Sequence, residues 1–349
     1  MTKVLLTGGS GFIAAHVLEQ LLEKDYSVVA TVRSEDKARK IREAHKDRVE
    51  AGKLEIAIVP DIAQEGAFDE VAKTPGIEAV LHTASPVQYT ISEQSLFYAD
   101  PKKDLVDPAL IGTTGILKAL HASAHSVKRV VVTSSFASII DEAKFTDPST
   151  TFTETSWNPV QLEDIHRSPQ TAYRASKKLA ERAAWDFVSS AKPSFGLVTV
   201  CPPLVLGPVV HHLATLDSIN TSNERVVALL RGGWRDGVPA STPVPLWIDV
   251  RDLARAHVRA LEEPGAAGRR LLPTPGWFTN REVVEIVRAG FPEFADRIPG
   301  PGVPGGEFPP KDQIYGFNND ETNRILGFEW TTLEKSITDL VTSLKAHGI

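Results

Sequence analysis

Residues 3–14 read Lys3-Val4-Leu5-Leu6-Thr7-Gly8-Gly9-Ser10-Gly11-Phe12-Ile13-Ala14. The apolar run Lys3–Thr7 is cut off by two glycines. Ile13, Val17, Leu18, Leu21 and Leu22 then recur at helical spacing as far as Glu23. A strand, a glycine turn and a helix in that order open a dinucleotide-binding unit. Gly8 suits a tight turn at positive φ, Gly11 lets the backbone approach a pyrophosphate, and Ala14 lets the helix pack close to the sheet. Free N–H groups and the positive end of the helix beginning at Phe12 and Ile13 would receive the phosphates.

Outward from this turn, Ser27–Val32, Leu54–Val59, Ala79–His82, Arg129–Thr133 and Phe195–Cys201 are further apolar runs. Helical segments lie between them: one capped by Ser34 and running to about Ala44, then Leu105–His125 and Gln170–Ser190. Strands alternating with helices, each strand apolar on both faces, predict an α/β protein with a Rossmann, doubly wound parallel sheet. Past about Pro202, prolines and glycines cluster at 202–208, 237–245, 264–276 and 299–310. Helices such as Arg281–Ala289 and Leu333–His347 stand between loops, and Pro299–Pro310 reads as a surface loop. The expected division gives 1–206 and 241–262 to the dinucleotide-binding domain, and 207–240 and 263–349 to a smaller mixed α/β substrate-binding lobe. Ligand would sit between them, at the carboxyl ends of the strands.

The chain has 349 residues, 42% hydrophobic and 23% charged, as in ordinary soluble enzymes. A net charge of −6 argues against nucleic acid or an anionic membrane as partner. No apolar run approaches the roughly 20 residues of a membrane span. The first strand begins at once, leaving no room for a signal peptide. Cys201 stands alone, so no disulfide or thiolate metal cluster is expected, and His211-His212 lacks partners at ligand spacing. The expectation is a cytoplasmic protein without a metal.

The second strand ends in Val32-Arg33-Ser34, with Lys37 one helical turn on. An NAD-selective site would carry an acid here for the ribose 2′-hydroxyl. Arg33 instead offers a planar fork suited to a phosphate and Lys37 a second charge, so NADP(H) is the expected cofactor. Glu35 and Asp36 nearby suit the positive end of the following helix.

Tyr173 and Lys177 are four residues apart, on one face of the long helix. A neighbouring ammonium favours the phenolate, which makes a phenol usable as a general acid near neutral pH. Thr133-Ser134-Ser135 ends a strand at the same sheet edge, where a hydroxyl can donate to an oxygen that gains negative charge.

Together these segments resemble the extended short-chain dehydrogenase/reductases. Among them the chain is most similar to the fungal NADPH-dependent carbonyl (methylglyoxal-type) reductases, relatives of the dihydroflavonol reductases. The matching stretches run from Thr7–Ala14 through Asp61-Ile62, His82–Pro86, Pro202–Pro208, Asn220-Thr221-Ser222 and Ile248–Asp252 to Phe278-Thr279. The resemblance implies a catalytic set of Ser135, Tyr173 and Lys177, and it selects Ser135 over Ser134. It implies that Arg33 and Lys37 take the 2′-phosphate and that Asp61 and Ile62 flank the adenine. Thr83, Ala84, Ser85 and Thr133 would line the middle of the cofactor, and Pro202, Val205 and Ser222 the nicotinamide. Substrate would meet Val87, Phe136, Leu204 and Trp234.

Two departures stand out. Ile111 occupies the place of an Asn that organises a proton relay in relatives, and Val87 and Leu204 replace aromatics, which implies a roomier aliphatic pocket. The expected reaction is reduction of ketones and aldehydes by a monomer or homodimer. The alternatives are a reductase of a specific secondary metabolite (dihydroflavonol or cinnamoyl-CoA type) and a non-catalytic NADP-sensing regulator. A sugar epimerase fits poorly with apolar residues around the site.

Overall fold

The computed structural model describes residues 2–85 and 99–349. The chain opens β1 (Lys3–Thr7), α1 (Phe12–Glu23), β2 (Ser27–Val32), α2 (Glu35–Ala44), α3 (Lys46–Glu50) and β3 (Leu54–Ile58). It continues α4 (Asp69–Ala72), β4 (Ile77–His82), α5 (Asp107–Ser123), β5 (Arg129–Thr133), β6 (Thr151–Phe152), α6 (Pro169–Ala191) and β7 (Gly196–Val200). Next come β8 (Leu204–Leu206), α7 (Thr221–Leu230), β9 (Leu246–Asp249), α8 (Val250–Glu262), β10 (Arg270–Leu271) and β11 (Gly276–Trp277). The last elements are α9 (Asn280–Gly290), β12 (Gly316–Phe317), α10 (Asp320–Leu326) and α11 (Leu333–Ala346).

Among the described residues, seven strands form one parallel sheet in the order β10-β7-β5-β4-β1-β2-β3. Chain order reverses between β1 and β4, so this doubly wound sheet has its crevice there, at the carboxyl ends of the strands. Alternate residues of each strand face opposite sides of the sheet, and the core divides accordingly. Val4 and Leu6 pack with Val17, Leu18 and Leu21 of α1 and Leu253 of α8. Leu5, Val29 and Val80 pack on the other side with Ile116, Leu117 and Leu120 of α5. Leu5 and Leu6 are wholly buried, and cutting either to alanine should cost about 2–5 kcal/mol.

The edge strand β10 comes from the segment 263–349, which the sequence reading allots to the smaller lobe. A second sheet of three strands is mixed, with β8 parallel to β9 and β9 antiparallel to β11, and it joins β8 and β9 from the segments allotted to the dinucleotide-binding domain to β11 from 263–349. A two-stranded pair, β6 with β12, lies beside it. Phe136, Phe152, Leu246, Ile314 and Tyr315 fill the space between these small sheets.

The expected helix Leu105–His125 is in two parts, a π-helical turn at Lys102–Val106 running into α5. Ile111 lies on its outer side, 38% exposed. The Pro299–Pro310 loop is held to α9 by two arginines. Arg281 donates through Nη2 to Val303 O at 2.6 Å and through Nε to Gly305 O at 3.0 Å, and Arg288 donates to Pro299 O. No helix among the described residues is long and apolar enough to cross a membrane.

Candidate functional site

The glycine turn occupies the crevice between β1 and β4. Gly8 has φ 75°, and a Cβ there would lie 2.9 Å from Ala84 Cα, so only glycine fits. Gly9 N–H donates to Thr31 O at 2.8 Å and Gly11 N–H to Gly8 O at 2.9 Å, which fixes the turn against β2. Helix α1 starts from Gly11 with no side-chain cap and no acid in its first turn. Its leading N–H groups and positive end therefore remain for an anion, as a pyrophosphate requires.

Helix α2 begins differently. Ser34 caps it by accepting from Lys37 N–H, and Glu35 and Asp36 occupy its first turn. Asp36 pairs with Arg39 and Lys40 at 2.8 Å, and Glu35 pairs with Arg42. The two acids that obscure the sequence reading are thus spoken for. Arg33 and Lys37 line the crevice and take part in no ion pair among the described residues. Burial, with Arg33 and Lys40 nearby, holds the Lys37 ammonium below its ordinary pKa. A phosphate placed there would relieve that burden.

The end of β4 is tied to the end of β1. Thr83 Oγ1 donates to Thr7 O at 2.6 Å, Ala84 N–H donates to Thr7 Oγ1 at 3.2 Å, and His82 Nδ1 lies 2.9 Å from the same hydroxyl. Burial pushes the His82 pKa down to about 4, with Lys177 adding to the effect. Asp61 Oδ1 accepts from Ala63 N–H at 2.9 Å and shapes the turn beyond β3, while Ile62 packs beneath, next to Gly112.

Thr133 ends β5, Ser134 and Ser135 follow it, and the three have different duties. Thr133 Oγ1 lies 2.7 Å from His257 Nε2, and His257 Nδ1 lies 2.8 Å from Leu253 O. A carbonyl can only accept, so Nδ1 carries the hydrogen and Nε2 takes one from Thr133. Ser134 is buried and donates to Glu181 Oε2 at 2.6 Å. Ser135 Oγ accepts from Ala137 N–H at 3.1 Å, and its hydroxyl hydrogen has no taker among the described residues. Of the two serines, Ser135 is the one with a donor to spare.

Tyr173 and Lys177 project from α6, whose start is capped by Ser168. Both are half-buried, and Lys177 Nζ lies 5.9 Å from the Tyr173 ring centroid and 3.4 Å from Ser85 Oγ. One turn further, Glu181 is sealed in with Arg270, whose Nε donates to it at 2.7 Å. Thr199 at 2.7 Å, Ser134 and Ser138 also donate to this carboxylate. Burial opposes its ionisation, but Arg270 and these hydroxyls hold the carboxyl below its ordinary pKa. The cluster ties α6 to β7, to β10 and to Ser134, the residue that follows β5.

One cleft of about 850 Å³ connects these groups. It runs from the glycine turn, Phe12 and Ile13, past Arg33, Lys37, Asp61 and Ile62, along Thr83–Ser85 and Thr133, to Ser135, Tyr173 and Lys177. Its far end is walled by Phe136, Pro202, Leu204, Val205 and Ser222. Ser222 Oγ accepts from Val205 N–H at 3.2 Å, holding that wall to α7. Trp234 is not part of it: this side chain, 7% exposed, is packed in the core beyond α7. Val87 lies outside the described residues. The sequence reading passed over Glu181, although Tyr173, Lys177 and Glu181 follow one another at single-turn spacing. It also passed over Arg225, which lines the far end.

Comparison with known proteins adds an independent measure. The profile of the NAD dependent epimerase/dehydratase family matches residues 4–271. Ketoreductase azaE of Aspergillus niger is 43% identical over 344 residues, 98% of this chain and 97% of its own length. The NADPH-dependent methylglyoxal reductase GRE2 of Saccharomyces cerevisiae is 37% identical over 352 residues, 99% of each chain. Gre2 of Candida albicans, solved in complex with NADPH, superposes with a TM-score of 0.90 at 34% identity, covering 100% of both chains.

Proposed function

Because this chain belongs to the NAD dependent epimerase/dehydratase family, we propose that it reduces ketones and aldehydes to alcohols, with Ser135, Tyr173 and Lys177 as catalytic residues. It is an NADP(H)-dependent oxidoreductase, like the reductases that match it over nearly its full length. The observation that carries the reading is one cleft with an uncommitted serine donor and a Tyr–Lys pair near one end and two unpaired cations at the other.

Bound NADPH supplies the hydride that the carbonyl carbon receives. Ser135, its oxygen already engaged by Ala137 N–H, turns its hydrogen toward the carbonyl oxygen and stabilises the charge that gathers there. Tyr173 gives its phenolic proton to that oxygen, completing the alcohol. Lys177 stands beside the Tyr173 ring and reaches Ser85 on the facing loop. Arg33 and Lys37 hold the 2′-phosphate, and the uncapped start of α1 holds the pyrophosphate. Phe136, Leu204 and Val244 give the reacting end an apolar wall.

The test follows absorbance at 340 nm with NADPH or NADH and a panel of ketones, an α-dicarbonyl and an aldehyde. Oxidation should favour NADPH, and Tyr173→Phe should lose roughly 100-fold or more in kcat while still binding NADPH. Equal rates for wild type and Tyr173→Phe would refute the assigned roles. NADPH binding without turnover across the panel would favour a regulatory protein.

A further inference from the structure

Arg225 is a cation in the apolar, far end of the cleft. It lies on α7, one turn beyond Ser222, and shares the cleft wall with Leu204, Pro243 and Val244. Its Nε donates to Ser222 O at 3.2 Å and its Nη1 to Asn280 Oδ1 at 3.4 Å, with the guanidinium 5.2 Å from the Phe278 ring centroid. Both acceptors are neutral and both bonds are long. Nη2 donates to none of the described residues, and no described carboxylate pairs with the group. Asp217, a carboxylate lining the same cleft, is held by Arg231 at 2.8 Å.

Burial pushes the Arg225 pKa down to about 10, so the half-buried guanidinium stays charged at neutral pH. A leucine would suit the neighbouring Val244 and Phe278 far better. Asn280 is itself anchored through Nδ2 to Pro239 O at 3.1 Å and Ala240 O at 3.2 Å, so its oxygen holds the guanidinium in a set orientation. A charged, oriented fork with spare donors in a ligand cleft calls for an anion that arrives with the ligand.

We propose that Arg225 receives a carboxylate on the substrate, so that the enzyme is built for oxo acids. This rests on the carbonyl-reductase reading above. The guanidinium grips the acid group and thereby places the ketone carbon and oxygen at Ser135 and Tyr173. The reaction is otherwise unchanged: hydride from NADPH adds to the ketone carbon, Tyr173 protonates its oxygen, and the carboxylate leaves as it came. Specificity then resides in the distance between carboxylate and ketone.

The experiment measures kcat and KM for a series of straight-chain oxo acids and their methyl esters, with wild type, Arg225→Leu and Arg225→Lys. NADPH affinity is followed separately by fluorescence titration, and folding by thermal melt. Wild type should prefer one acid of the series over its ester by at least ~10-fold. Arg225→Leu should lower kcat/KM for that acid by ~10–100-fold, chiefly through KM, and bring the acid-to-ester ratio close to one. Arg225→Lys, which keeps the charge but not the fork, should restore part of that ratio.

A wild type indifferent to the carboxylate would overturn the proposal. So would an Arg225→Leu variant that loses acid and ester alike, which would make the residue a strut between α7 and α9. Loss of NADPH affinity in step with activity would assign Arg225 to the cofactor instead. Turnover of esters and simple ketones without acid preference sinks this inference alone, whereas NADPH binding with no turnover of any carbonyl compound sinks the reductase reading beneath it.

Discussion

Replacing Glu181 by alanine should destabilise the protein by about 3–5 kcal/mol, because it leaves the Arg270 charge buried without its partner. The two side chains are 1% and 9% exposed, so water cannot substitute for the lost carboxylate. Arg270 would retain backbone acceptors at Glu154 and Ser156 and the face of Trp157, 3.8 Å from its centroid, but no opposing charge. The hydroxyls of Ser134, Ser138 and Thr199 would lose an acceptor at the same stroke. Unfolding entropy of about 2.1 cal/mol/K per residue converts this loss into a Tm lower by roughly 4–7 °C for a chain of this length.

The assay is urea unfolding followed by tryptophan fluorescence, for Glu181→Met, Arg270→Met and the pair together. Each single change should be costly, and the double change should recover most of the loss, since neither ion then remains to be desolvated. Orphaned hydroxyls should keep the recovery incomplete, at about 1 kcal/mol each. If the two single losses simply add in the double variant, the ion pair is not what holds α6 beneath the site.

Removing both Arg33 and Lys37 side chains should cut the preference for NADPH over NADH by roughly 10–100-fold, read as the ratio of kcat/KM values. An unchanged ratio would move the 2′-phosphate elsewhere. Acid should destabilise the fold through His82 and His257, both pushed down to about 4 by burial. An unfolded histidine takes its proton near 6.5, so the stability their neutral rings contribute is complete above that pH and drains away as pH falls toward 4. At pH 5 the loss is about 2 kcal/mol for each, and His257→Gln should remove its own share of the pH dependence. Equal urea midpoints at pH 7 and pH 5 for wild type would contradict this.

The long apolar strands were legible because each is a continuous run ended by glycine, polar residues or proline, and buried strands demand just that. The two-residue strands β6, β10, β11 and β12 were not, since so short a stretch has no periodicity to read. Arg33 and Lys37 were legible as a phosphate pair from their place after β2, whereas the pairing of Glu35 and Asp36 with other residues of α2 needed the helix itself. The choice between Ser134 and Ser135 rested on resemblance; their hydrogen bonds, Ser134 to Glu181 and Ser135 from Ala137, depend on contacts distant in sequence or on backbone geometry that no motif spells out. Glu181 escaped notice because its partners lie as far apart in sequence as Ser134, Thr199 and Arg270. Trp234 was placed at the substrate by resemblance, and its large apolar ring packs in the core.

The arginine clamp on Pro299–Pro310 bears on how this protein tolerates added sequence. A stretch so rich in proline and glycine invites the insertion of a tag or a fusion partner. Here each added residue would have to part Arg281 from the carbonyls of Val303 and Gly305 and Arg288 from that of Pro299, and would loosen α9 with them. Gly52 and Gly76 are the better entry points. Both sit in turns at positive φ with nothing within 4 Å of where a Cβ would stand.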